Sequence, residues 1–337
     1  MLKTVLITGG FGYIGRHTCI ELLNSGYKVV VVDNKNIEAL EKINNKIFKL
    51  TGRKAILRSI KFNCKDDVRS VFIDIDIDID IDIVVHFAGI KSVSDFILQP
   101  LESVDKELSL ISDVLTVMKE FNVKKIIYPS SILVYSSDNI MPLTENSKLN
   151  TSNPYSRCKI FIEDLLYDIS ASDNSWDIII LRYSNTIGSH QSGVIDGYTP
   201  IKPNNLTSSI LSVFENQTDK VEIYGDDFET RDGTCERDYI HVVDVAKANL
   251  SSIEYIVKNN METPLTLNIS SGKPTSVFEV MHGFEGIVGN KIKYDIMPRR
   301  SSDIGCSYSD NSLAKDVIKW EPKSNLDDIF KSFFYAQ

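Results

Sequence analysis

Long apolar runs are missing from this 337-residue chain. No stretch approaches the ~20 consecutive apolar residues of a membrane span. The start, MLKTVLITGG, runs a short strand into glycines and has neither the apolar region nor the cleavage site of a secretory signal. Positive charge is in deficit: 37 Lys+Arg stand against 46 Asp+Glu, a formal net charge of −9. That balance excludes the broad basic field required by nucleic acid or an anionic membrane surface, while leaving room for a local phosphate pocket. Cysteine is sparse and odd in number. Cys19, Cys64, Cys158, Cys235 and Cys306 are too dispersed for a disulfide framework or a zinc motif, so free thiols in a reducing compartment, the cytoplasm, are expected. The five histidines are equally scattered, and no metal site is expected.

What the chain has is an ordinary globular composition, 42% apolar and 25% charged, with enough length for one large domain or two unequal ones. Short β-rich runs alternate with helix-length segments: KTVLITG, a helix through Leu23, YKVVVVD, DIVVHFAG, KKIIYPSS and WDIIILRY. Apolar runs of this kind indicate strands of a parallel sheet covered on both faces. The expected fold is therefore α/β, a doubly wound parallel sheet of Rossmann type with a smaller C-terminal α/β domain. Residues 1–187 plus roughly 236–262 are assigned to the first unit, and 188–235 plus 263–337 to the second. One segment, FIDIDIDIDIDIV at residues 72–84, alternates strictly, as half-buried strands do. Only its end is apolar enough for a central strand, so the strand is expected to begin near Ile81, with the repeat finishing a helix and forming a connector.

The segment TGGFGYIG, residues 8–15, follows a predicted strand and opens a predicted helix. Gly9, Gly10, Gly12 and Gly15 satisfy both G-x-x-G-x-x-G and G-x-G-x-x-G. Glycines there permit a tight turn and a close approach of backbone N–H groups to a pyrophosphate, at a helix end carrying partial positive charge. Asp33 closes the next strand, where a carboxylate accepts hydrogen bonds from an adenosine ribose diol and repels a 2′-phosphate. The expected cofactor is NAD.

A further strand, KKIIYPSSILVY, ends in Ser130 and Ser131 at the carboxyl edge of the sheet, where ligands of open α/β sheets sit. Tyr155 and Lys159, in NPYSRCK, lie one helical turn apart on one face. A free tyrosine, with pKa ~10, is a poor base at neutral pH. A neighbouring ammonium and the positive nicotinamide favour its ionised form, and Ser131 could share the same substrate hydroxyl.

With these residues in hand, the chain resembles the extended short-chain dehydrogenase/reductase family, and within it the UDP-glucose 4-epimerases. TGGFGYIGRHT, VVHFAGIKSV, the Ser131–Tyr155–Lys159 set, LRYSN, PNNL, DGTCERDYIHVVDVA and PRRSSD look like that family's blocks, in its order, over nearly the whole chain. The resemblance implies an isomerase. Tyr155 would take the proton from the sugar 4-hydroxyl as hydride passes from C4 to NAD. The 4-keto sugar would swing about its diphosphate and be reduced on its other face. Ser131 would assist, and Lys159 would hold the nicotinamide ribose. Carried over by position, Tyr13, Ile14, Asp33, Asn34, Asn63, Cys64, Phe87, Ala88, Gly89, Lys91 and Tyr183 would join Gly9, Gly12, Gly15, Tyr155 and Lys159 around NAD. The UDP-sugar would meet Lys91, Ser92, Val93, Ser131, Asn185, Asn205, Leu206, Ile223, Tyr224, Arg237, Arg300 and Asp303. Arg237 and Arg300 suit a diphosphate, which forked guanidinium groups grip well. Ser307 stands at a position that looks like a gate in the family; a small residue there would admit UDP-N-acetylhexosamines beside UDP-glucose and UDP-galactose. A homodimer through helices of the nucleotide-binding domain is also implied.

The chain departs from the family's pattern at four places. Glu107 stands where an NAD-contacting asparagine is expected, Pro129 where a serine is, Ser184 where a bulky aromatic is, and Ser136 where a glycine is. Two alternatives share the same cofactor: a sugar-nucleotide 4,6-dehydratase and a non-catalytic NAD-binding relative. A dehydratase needs further acid–base groups beside Ser131, where Ile132 and Leu133 cannot transfer protons.

Overall fold

Strand and helix alternate from the start: β1 (Thr4–Thr8), α1 (Tyr13–Asn24), β2 (Lys28–Asp33), α2 (Ile37–Thr51), β3 (Ile56–Ser59), α3 (Lys65–Ile73), β4 (Ile83–His86), α4 (Val93–Leu98), α5 (Pro100–Glu120), β5 (Lys125–Ser131), α6 (Pro154–Ser172) and β6 (Asp177–Tyr183). Then come β7 (Asn185–Ile187), α7 (Leu206–Phe214), β8 (Val221–Tyr224), β9 (Glu236–His241), α8 (Val242–Lys258), β10 (Leu265–Ile269), β11 (Pro274–Ser276), α9 (Val277–Val288), β12 (Tyr294–Met297), β13 (Cys306–Ser307), α10 (Ser312–Ile318) and α11 (Leu326–Ser332). The computed structural model describes residues 3–62, 64–73, 80–90, 92–151, 153–195, 205–300 and 303–335.

Seven strands form one parallel sheet in the order β10-β6-β5-β4-β1-β2-β3. All seven residues of β6 are buried, which a strand covered on both faces requires. Side chains alternate across the sheet, so Val5 and Ile7 pack toward α1, α2 and α8, whereas Leu6 packs toward α3, α5 and α6. This is the expected doubly wound architecture. From β1 the chain winds out to β2 and β3, then returns to the far side of β1 as β4. The loops leaving the carboxyl ends of β1 and β4 diverge, opening the crevice where such sheets hold ligands.

A second, smaller unit packs its own core around Ile210, Ile223, Val280, Phe284 and Phe330. It contains a parallel β8–β12 pair and a four-stranded sheet in which β9 pairs with β7, β11 and β13. Two boundary expectations change. Leu265–Ile269, placed beyond residue 262 in the second unit, is the edge strand of the large sheet, in register with Ile179–Tyr183. Glu236–His241, placed in the large unit, belongs to the small sheet, and the following helix α8 then packs on α1. A short apolar run reads alike in either sheet; only its pairing partner separates the two. The strand expected near Ile81 begins at Ile83, and α3 ends at Ile73, while residues 74–79 of the repeat lie outside the described residues.

Candidate active site

The β1–α1 turn is held from both sides. Gly9 has φ +62 and donates its N–H to the Val32 carbonyl at 2.7 Å, and Gly12 donates to Gly9 at 2.9 Å. A Cβ on Gly9 would lie 2.7 Å from the Ala88 backbone nitrogen, and one on Gly15 would lie 2.7 Å from the Gly10 carbonyl. Only glycine allows the turn to approach the β4 loop this closely. The α1 N-terminus starts at Gly12 with no side-chain cap and no acid in its first turn, which is the electrostatic setting a pyrophosphate needs. Asp33, buried at the end of β2, accepts from the Phe11 N–H at 3.1 Å and pairs with the Lys35 ammonium at 3.1 Å. These residues fit a dinucleotide: a bare helix end for the phosphates, and a carboxylate beside it for the ribose.

The second group stands across the crevice. Asn153 caps α6 by accepting from the Ser156 N–H at 2.8 Å, and Pro154 occupies the first turn. This start puts Tyr155 at the sheet's carboxyl edge. Its ring meets Phe96 edge-on, with centroids 5.4 Å apart. The Ser131 hydroxyl, at the end of β5, hydrogen-bonds the Tyr155 phenol and accepts from the Leu133 N–H at 3.2 Å. Lys159 is buried; its Nζ donates to Glu107 Oε1 at 2.9 Å and to the Tyr128 hydroxyl at 3.0 Å, and lies 5.8 Å from the Tyr155 ring centroid. Burial works to raise the Glu107 carboxyl, but Lys159 and the Ile90 N–H outweigh it and hold it below the usual range. The Lys159 ammonium is likewise held well above its usual value, because Glu107 and the two tyrosines outweigh its burial. Tyr155 departs from expectation. Burial raises its phenol despite Lys159 and Ser131, and the Glu107 carboxylate adds to the rise.

A cleft of about 420 Å³ opens in the smaller unit, lined by Asn205, Leu206, Ile223, Tyr224, Arg300 and Asp303, among others. Arg300 grips Asp303 with two hydrogen bonds, of 2.7 and 3.1 Å, and stacks on the Tyr224 ring at 4.8 Å. Arg237, on β9, reaches Asp303 at 3.9 Å and donates to the Ile304 carbonyl at 2.9 Å. Two guanidinium groups thus converge on one carboxylate at the edge of the cleft. The loop after Ser131 is tied to this side: the Leu143 N–H donates to the Tyr308 carbonyl at 3.0 Å, just past Ser307.

The NAD dependent epimerase/dehydratase family matches residues 5–269, most of the chain. The chain belongs to this family. UDP-glucose 4-epimerase of Bacillus subtilis (strain 168) is 35% identical over 325 residues, covering 96% of this chain and 94% of that one. The crystal structure of UDP-glucose 4-epimerase from Bifidobacterium longum in complex with NAD+ and UDP has a TM-score of 0.91 at 39% identity, covering 99% and 98% of the two chains. That of UDP-glucose-4-epimerase from Stenotrophomonas maltophila, with bound NAD and formylated UDP-arabinopyranose, has a TM-score of 0.92 at 32% identity, covering 99% and 97%. Coverage this complete extends the likeness to the smaller unit, where a generic dinucleotide fold would have no counterpart.

Within this epimerase/dehydratase frame, most residues singled out in the sequence converge. Gly9, Gly12 and Gly15 in the β1–α1 turn stand beside Ala88 and Gly89 in the β4 loop, Asp33 closes β2 next to them, and Ser92 caps α4 just before Val93. Phe87 and Ile14 pack into the core behind these loops, while Asn34 and Cys64 are exposed at the rim. Asn185 hydrogen-bonds Tyr239, and Ser307 is buried on β13 opposite Arg237. The phenols of Tyr13 and Tyr183 bond within the protein. Tyr13 donates to the Gly188 carbonyl at 2.6 Å. Tyr183 donates to Asn249 at 2.8 Å, in the core layer opposite Tyr155. Asn63 and Lys91 lie outside the described residues. The sequence reading missed Tyr128, because a tyrosine inside an apolar strand looks like core, and it took Glu107 only as a departure.

Proposed function

We infer that this chain is an NAD-dependent UDP-hexose 4-epimerase, interconverting UDP-glucose and UDP-galactose. The observation that carries this reading is the Ser131–Tyr155–Lys159 set facing a glycine cradle across the crevice, in a chain whose full length matches UDP-glucose 4-epimerases. The glycine turn and Asp33 support NAD in the large unit, and the arginine-edged cleft supports a UDP-sugar in the smaller one. When bound, NAD supplies reversible hydride transfer. Tyr155 exchanges the proton of the sugar 4-hydroxyl, and Ser131 holds the oxygen between them. Lys159 stays charged beneath the tyrosine and has an N–H left for a ribose hydroxyl. Arg237 and Arg300, already oriented by Asp303, hold the diphosphate while the sugar turns over.

The test is direct. Purified protein, given UDP-galactose and no added NAD, should yield UDP-glucose. Tyr155→Phe should remain folded and lose about 10²–10⁴-fold in rate. No conversion even after NAD is added rejects the reading and brings back the dehydratase or the non-catalytic relative.

Three finer readings accompany it. Ser307 is small, which supports acceptance of UDP-N-acetylhexosamines. A homodimer is supported by exposed apolar residues on neighbouring helices: Ile97, Leu98, Leu101 and Phe161 on α4, α5 and α6. Five free thiols suit a reducing compartment such as the cytoplasm. Among the described residues no helix is long and apolar enough to cross a membrane.

A further inference from the structure

Glu107 is more than a substitution in the family's pattern. One carboxylate oxygen takes the Lys159 ammonium at 2.9 Å, and the other accepts the Ile90 N–H at 2.8 Å. The carboxylate also rests against Gly89, where a Cβ would lie 2.5 Å from Oε2. It therefore bridges the loop after β4, on the cofactor side of the crevice, to the helix that carries Tyr155. Glu107 and Lys159 are both buried, and a buried ion pair of this kind holds a register.

We propose that Glu107 is a positioning residue for the Tyr155–Lys159 pair: it clamps the ammonium between the β4 loop and Tyr128, and its carboxylate is the counter-charge to that ammonium beside Tyr155. The proposal rests on the epimerase reading for its consequence in turnover, not for its geometry. The groups around the phenol give the sign. Lys159 and Cys158 face it from its own helix, Tyr128 and Ser131 from β5, Glu107 from α5, and Phe96 from α4 adds only an apolar edge. His86 on β4 acts on Glu107 rather than directly on the phenol. Burial opposes the phenolate most, Lys159 and Ser131 favour it, and Glu107, with a smaller part from Cys158, adds to the opposition. Removing the Glu107 charge while keeping its shape takes away the carboxylate that counters Lys159, and the phenol should ionise at lower pH.

The experiment compares the purified protein, carrying its own NAD, with Glu107→Gln and Glu107→Asp. Ultraviolet difference titration follows phenolate formation, with Tyr155→Phe in each background isolating the one tyrosine. Glu107→Gln should move that titration down by about one pH unit or more. The rising limb of UDP-galactose epimerisation against pH should move with it, and Glu107→Asp should restore both curves toward the parent. Superimposable titrations of parent and Glu107→Gln overturn the proposal. If Glu107→Gln does not fold, Glu107→Asn takes its place. Failure of both amides to fold, with Glu107→Asp folded, gives Glu107 a purely structural role and also overturns it. A parent without epimerase activity rejects the proposed function alone, because the phenolate titration still decides the role of Glu107.

Discussion

At the scale of single residues, the proposed acceptance of UDP-N-acetylhexosamines turns on Ser307. It pairs with Arg237 across β13 and β9, and paired residues of neighbouring strands project from the same face. A serine there is small and buried, at 6% exposure, so a larger side chain would have to grow into the space shared with Arg237. Ser307→Tyr should reduce turnover of UDP-N-acetylgalactosamine by ~10-fold or more and change that of UDP-galactose far less. Parallel rate measurements on the two substrates check this, and an equal loss on both would remove Ser307 from substrate choice. Residues whose roles depend only on chain neighbours, such as Gly9 and Gly12, were legible in the sequence. The partner of the Tyr183 phenol was not, because Asn249 stands 66 positions away.

At the scale of elements, α6 starts where Asn153 and Pro154 dictate, and its two faces have different fates. Cys158, Ile162 and Leu166 are buried against the sheet, while Phe161 is 54% exposed. Its neighbours α4 and α5 expose Leu98 at 78% and Leu101 at 77%. Side chains of this size on adjoining helices are where a second copy of the chain would bury apolar area. The wild-type protein should therefore show the mass of two chains by light scattering, and Leu98→Lys with Leu101→Lys should halve it. A single-chain mass for the wild type rejects the dimer. Helix-length segments between the strand runs were recognisable, but which side of each helix faces solvent emerged only from their packing on one another.

At the scale of the whole molecule, three histidines from separate segments meet behind the nucleotide loop. His17 and His190 have ring centroids 6.2 Å apart, and His241 closes the group against Gly188. Burial lowers all three, His17 to about 3 and His241 to about 4, so these two stay neutral in the folded protein. Their contribution to stability is present above the unfolded value near 6.5 and is lost as pH falls toward 4, because only the unfolded chain then takes up the protons. Each pH unit of that gap corresponds to about 1.4 kcal/mol per histidine. The melting temperature should fall steadily between pH 6.5 and 4, and His17→Gln should flatten that slope. Thermal unfolding across this range tests it; an unchanged slope assigns the acid loss elsewhere.

By itself the sequence determined what depends on neighbours along the chain: the glycine turn, the strand runs, the shared helical face of Tyr155 and Lys159, and the order of blocks that marks the family. These are consequences of backbone freedom, side-chain alternation and capping, all exercised within a few residues. Tertiary structure alone decided that Leu265–Ile269 completes the large sheet, that Glu236–His241 belongs to the small one, and that Glu107 pairs with Lys159 across 52 positions. Strand partners and buried ion pairs are chosen by which surfaces must leave water together, and no local pattern records that choice.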